Sequence, residues 1–207
     1  MVSANDIGFE CDIQESVSIE DIREEYKEGV ILWLNGSGAG PEGKPASYRC
    51  VLDYMGHIKY MEKNISDVTA HYAMIAGAID AVKCINKSVR LNIVCTTSLG
   101  FAGGFKGVGV NCVLFQELYE LIKEKKCTLT EVQCMGCGET VKKFVYSCNP
   151  DETMHNEYDI KMADKEKRKY QYKEYLYNEC LSKVAEILVM RGVDNGIIRE
   201  IKKIKPE

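Results

Sequence analysis

From Val30 to Leu34 the chain is uniformly apolar, and a glycine- and proline-rich stretch, Gly36 to Pro45, follows after the single polar residue Asn35. Beyond that loop the run from Ser47 to Tyr54 alternates, with Tyr48, Cys50, Leu52 and Tyr54 on one side. A short apolar run bounded by Gly and Pro predicts a strand, and two such runs across a glycine loop predict a hairpin. Met55-Gly56-His57 reads as a tight turn into a third strand over 58–63, which completes an antiparallel meander. Upstream, residues 1–16 carry little pattern, whereas Ile19, Ile22 and Tyr26 have helical spacing behind Ser18 as N-cap and Asp21 as its capping-box partner.

The period then changes. Val68, His71, Tyr72, Ile75, Ile79 and Val82 recur at three and four residues, and Ala70, Ala73, Ala76, Gly77 and Ala78 between them permit close packing. This predicts a helix over 67–85, with Asp67 as N-cap, lying flat on a sheet. Val89 to Cys95 reads as a buried strand, 99–109 as a glycine-rich loop, 111–125 as an amphipathic helix and Thr128 to Cys134 as a fifth strand. Val141 to Val145 is a short apolar stretch, 149–165 reads as a linker, and 163–191 reads as a long helix whose apolar stripe is clear only in its second half.

Bulk properties narrow the function classes. At 207 residues the chain suits one domain with an appendage, and 45% hydrophobic with 28% charged residues is ordinary for a globular protein. A net charge of −4 argues against a protein that coats nucleic acid non-specifically, although Lys and Arg cluster in 161–173 and 199–205. No apolar run reaches 18 residues, and acids at Asp6, Glu10 and Asp12 are unlike a secretory leader. Ten cysteines in that setting are expected to be reduced thiols in the cytoplasm.

The order β–β–β–α–β–α–β resembles the type I ribonuclease H fold. Members carry Asp-Gly-Ser at the end of the first strand, where Asn35-Gly36-Ser37 stands here, and Lys44-Pro45-Ala46-Ser47-Tyr48 is similar to their approach to strand two. Their first long helix carries a Glu among small residues, matched by Ala70 in Asp67–Gly77, and their strand-four Asp-Ser is matched by Thr97-Ser98. The likeness spans roughly 30–148 and implies an α/β fold. Its expected form is a mixed five-stranded sheet with flanking helices, an N-terminal arm and helix over 1–29, and a linker with helical extension over 149–207. The chemistry it implies needs carboxylates. Two Mg²⁺ ions about 4 Å apart clamp the attacking and leaving oxygens of a phosphodiester. Such ions take anionic oxygen ligands. With Asn35, Ala70 and Thr97 at the three landmarks, the resemblance implies a degenerate site, with Asp67 and Glu131 as the acids available to a divergent nuclease.

Other residues carry weaker signals. Cys134-Met135-Gly136-Cys137 is half of a zinc knuckle, which Cys148 and His155 would complete; unligated thiols are the competing reading. Gly103-Gly104-Phe105-Lys106-Gly107 has the composition of an anion-cradling loop but not the Gly-Lys-Ser/Thr spacing of a phosphate loop. His71 sits on the helix stripe beside the vacated site. Lys167, Arg168 and Lys169, interleaved with Tyr170 and Tyr172, form a basic aromatic stretch suited to nucleic acid or to solvent. The expectation is a pseudoenzyme that occupies a protein or nucleoprotein partner through residues such as Asn35, Ser37, His71 and Lys106, as adaptor or inhibitor of a nucleic-acid enzyme. RNA or an RNA–DNA hybrid is the nucleic-acid partner in view. No membrane is involved, self-association would use 149–207, and no cofactor is required; Mg²⁺ belongs only to the nuclease alternative.

Overall fold

The computed structural model describes residues 7–15, 17–40, 43–192 and 197, with the side chains of 152–158 and 161 outside that description. The chain divides into two compact units, Met1–His155 and Asn156–Glu207. In the first, strand β1 (Phe9–Glu15) precedes helix α1 (Ile19–Glu25), and the meander follows as β2 (Val30–Ser37), β3 (Ala46–Tyr54) and β4 (His57–Ile65). Helix α2 (Ala70–Lys83), strand β5 (Arg90–Cys95), the single turn α3 (Phe101–Gly104) and helix α4 (Cys112–Glu124) come next. Strand β6 (Thr128–Met135) and helix α5 (Gly138–Ser147) close the unit. Helix α6 (Glu152–Met190) accounts for most of what is described of the second unit.

One sheet in the order β1-β6-β5-β2-β3-β4 forms the middle layer. β2, β3 and β4 pair antiparallel, while β5, β6 and β1 add in parallel. The five expected strands are present, and a sixth, β1, arises from the segment read as patternless. Two further expectations are corrected, and a stretch without an assigned element is placed. Val141 to Val145 lies in a helix, because Val141 and Val145 are four apart and both buried, with Lys142 and Lys143 between them. The segment 149–165 is helical from Glu152 rather than a linker. Asp67 does not cap α2: it has a positive φ of 58°, and the Thr69 side chain takes the Tyr72 N–H instead. The Ser18–Asp21 capping box of α1 is present in both directions.

Each sheet face has its own core. On one, Leu32, Leu34, Tyr48, Cys50 and Ile93 pack under Ala73, Ile75 and Ala78 of α2 and Phe115 and Leu118 of α4. On the other, Ile31, Trp33, Val51, Val94 and Val132 pack under Ile19 and Ile22 of α1 and Val141 and Val145 of α5. Trp33 meets Phe144 edge-on at 4.9 Å between ring centroids. Burial of the alternating apolar positions fixes the register, since a one-residue slip would swap both faces.

Helix α2 approaches the sheet closely at Gly77, where a Cβ would lie 2.8 Å from the Tyr48 ring. The Tyr48 hydroxyl donates to Asp80 one turn further along, at 2.6 Å. Gly77→Ala is therefore expected to lower stability by about 1–3 kcal/mol through overpacking, despite the higher helix propensity of Ala. Urea unfolding of the two proteins checks this.

Candidate functional site

The C-terminal ends of β2 and β5 and the first turn of α2 meet around a cavity of about 290 Å³. Gly36, Ala70, His71, Met74, Thr96, Thr97 and Ser98 line it. Two of the landmark positions, Ala70 and Thr97, are thus brought together with His71 as the resemblance requires. The third, Asn35, is not among the lining residues. Strand alternation puts Leu32 and Leu34 toward α2 and Trp33 toward α5, so Asn35 and Ser37 face α5 and Gly36 faces the cavity. Asn35 is buried opposite Arg49, whose guanidinium stacks on Tyr146 of α5 at 4.8 Å. Ser37 shares a 2.9 Å hydrogen bond with Ser47.

Gly36 is closed to substitution from the cavity side. A Cβ there would lie 2.4 Å from Met74 Cγ and 3.0 Å from the Ala70 carbonyl oxygen. A side chain at this position has room only if Met74 or the first turn of α2 shifts. The residues present do not fit a pair of divalent ions, because none of the side chains lining the cavity is a carboxylate. Among the described residues no group of three or more His, Cys, Asp or Glu is placed to hold a metal.

One carboxylate does lie beneath the cavity rim. Glu131, mid-strand in β6 and 2% exposed, accepts the Leu99 N–H at 2.7 Å. The Leu99 carbonyl in turn accepts the Nε2–H of His71 at 2.8 Å. The main-chain N–H and C=O of one residue, Leu99, therefore link the ring at the cavity to the buried acid. Burial raises the Glu131 pKa above its ordinary value, and hydrogen bonds from Leu99, Gln133 and Ser98, with the nearby His71, oppose the rise. Sequence reasoning found Glu131 by its alternation but not its tie to His71, which depends on the backbone turn at Ser98–Gly100. Asp67, the other candidate acid, is exposed and outside the cavity lining.

The glycine-rich stretch has a packing role. Phe101 and Phe105 are buried against Phe115, and a Cβ at Gly104 would lie 2.2 Å from that ring. The N–H groups of Gly103, Gly104 and Gly107 all bond within the stretch, so they do not form an anion cradle; Lys106 projects exposed from it. Cys134 and Cys137 are buried together, and burial, then Cys137, pushes the Cys134 thiol well up. The side chain of His155 lies outside the described residues. Lys167, Arg168 and Lys169 are exposed on α6, in the second unit, and the basic cluster 199–205 lies outside the described residues. Among the described residues no helix is long and apolar enough to cross a membrane.

No family profile and no curated protein matches this sequence. Among solved structures the chain is similar to RNase H1 from the halophilic archaeon Halobacterium salinarum, at 14% identity, 55% of this chain, 89% of that one and a TM-score of 0.41. It is also similar to the N-terminal RNase H domain of a Mycobacterium tuberculosis protein, solved as a fusion with maltose-binding protein. There the identity is 16%, over 50% of this chain and 85% of that one, with a TM-score of 0.40. On its strand order and directions, the fold is ribonuclease H-like.

The state of Glu131 sets a pH test. Its folded pKa is raised, so the favourable protonated state is fully present below the ordinary pKa of 4.5 and its contribution is lost as pH rises through the folded value. Glu131→Gln keeps an acceptor for Leu99 and cannot ionise. Urea midpoints are expected to match wild type near pH 4 and to exceed it at pH 7.

Proposed function

We propose that this chain is a ribonuclease H-like binding module that does not run two-metal hydrolysis and acts by occupying a protein or nucleoprotein partner. The observation that carries the reading is the lining of the cavity, which offers an imidazole, hydroxyls and small residues where metal-binding carboxylates would be needed. Glu131 is a single acid, and one of its carboxyl oxygens already accepts the Leu99 N–H. Imidazole and hydroxyl groups bind phosphate oxygens or a partner's polar side chains without metal, and removing acids lessens repulsion of a polyanion. The net charge of −4 favours a protein-containing partner over naked nucleic acid. We place the module in the cytoplasm, as an adaptor or inhibitor of a nucleic-acid enzyme, with 149–207 as the surface for partner contact or self-association. No metal cofactor is part of this function.

The test combines cleavage with capture. Purified protein is expected to leave a labelled RNA–DNA hybrid intact in Mg²⁺ or Mn²⁺, and to retain a host partner equally from nuclease-treated and untreated lysates. His71→Ala, which removes the ring facing the cavity, is expected to reduce that retention about tenfold if the ring contacts the partner, a loss on the scale of one hydrogen bond to a charged group. Metal-dependent cleavage that disappears in Asp67→Ala or Glu131→Gln would overturn the proposal in favour of a divergent nuclease.

A further inference from the structure

A second cleft lies at the other end of the parallel strands, where β1, β6 and β5 begin, under the C-terminal end of α1. It encloses about 450 Å³, far more than the roughly 30 Å³ share of one water. Its walls carry Glu10, Asp12, Glu25 and Glu28 against one cation, Arg90, so the formal balance of the lining is 1 − 4 = −3. Arg90 is already engaged, bonding Glu10 at 2.9 Å and the Thr130 hydroxyl at 3.3 Å. Tyr26 and Gln14 both donate to Asp12, which orders that carboxylate, and Gln14 also donates to Glu25.

The independent observation is Asn92. It lines this cleft, is 0% exposed, and neither its Oδ1 nor its Nδ2 has a hydrogen-bond partner. A buried carboxamide with both ends unmet is destabilising, so a group that meets both ends is favoured there. The backbone is shaped around it. At Gly29 a Cβ would lie 2.6 Å from Asn92 Nδ2 and 2.5 Å from the Arg90 carbonyl oxygen, so a glycine there leaves the amide its room.

We propose that this cleft binds a small organic cation with several N–H donors and an adjacent oxygen, an arginine-like group, using the acidic wall for charge and the Asn92 carboxamide for alignment. Oδ1 accepts from the cation, Nδ2 donates to the neighbouring carbonyl, and Glu25 and Glu28 screen the positive charge at the mouth. An anion is disfavoured by the charge of the lining. A bare metal ion is disfavoured because, among the described residues, no three acids, cysteines or histidines converge.

The experiment follows the Asn92 side-chain amide resonances of the full ¹⁵N-labelled chain during titration with argininamide. Saturable shifts are expected, weakened by added salt. Spermidine, which lacks the oxygen, is expected to bind more weakly, and tetramethylammonium, which lacks N–H donors, to leave the resonances unmoved. Asn92→Leu is expected to weaken argininamide binding about tenfold or more, the scale of a charged hydrogen bond. Should that variant fail to fold, Glu28→Gln, at an exposed position, is expected to weaken binding by roughly threefold, as for a screened surface charge. Tighter binding of a blocked Gly-Arg-Gly peptide than of argininamide assigns the cleft to a partner's arginine, and the reverse order assigns it to a free metabolite. Unmoved Asn92 resonances, equal binding of tetramethylammonium, or affinity unchanged in the soluble variants would overturn the proposal.

Discussion

The distance between α2 and the sheet is the constraint on which the rest of the first unit depends. Gly77 admits the Tyr48 ring, Gly36 admits Met74, and the Tyr48–Asp80 bond pins the helix at that depth. Because interiors are packed as densely as organic crystals, neither contact leaves slack. The same closeness that gives the core its order also determines what the adjoining cavity holds. A side chain in place of Gly36 would meet Met74 at that depth. The chemistry of the cavity is therefore a consequence of packing as much as of the residues that happen to line it.

Much of the fold was legible because apolar side chains announce their period. The meander and α2 are cases in which one face is buried and the sequence repeats at two or near four. β1 was not legible, for a physical reason. Its alternation sets Phe9, Cys11 and Ile13 against Glu10, Asp12 and Gln14, but none of its side chains is fully buried, and Asp12 and Gln14 meet Tyr26 and Glu25 in a hydrogen-bonded network in place of an apolar core. The first half of α6 is equally silent, since the charged run from Asp164 to Lys169 interrupts any apolar stripe. α5 hid behind its shortness, where Val141 and Val145 are one helical turn apart yet read as ends of an apolar run.

The candidate site was half legible. Ala70, His71 and Thr97 converge as their order along the chain implied, but Asn35 does not join them. Gly36 has no side chain to show which way the strand alternates, and the loop composition beyond it concealed that β2 runs on to Ser37. Likewise the link from His71 through Leu99 to Glu131 is made by main-chain atoms, which composition and spacing do not encode. Asn92 illustrates the converse: unremarkable as one polar residue in a strand, it becomes informative only when its burial and its unmet atoms are both known.

The pairing of β1 with β6 has a consequence in time. Phe9 aligns with Leu129 and Glu15 with Met135, so the first strand of the sheet to leave the ribosome must wait for the last. At ordinary synthesis rates of about 5–20 residues per second, the nascent chain spends several seconds or more with β1 unpaired. During that interval its polar face is a safeguard, because a strand bearing Glu10, Asp12 and Gln14 is a poor template for stray association. The edge of the finished sheet is thus protected before it exists.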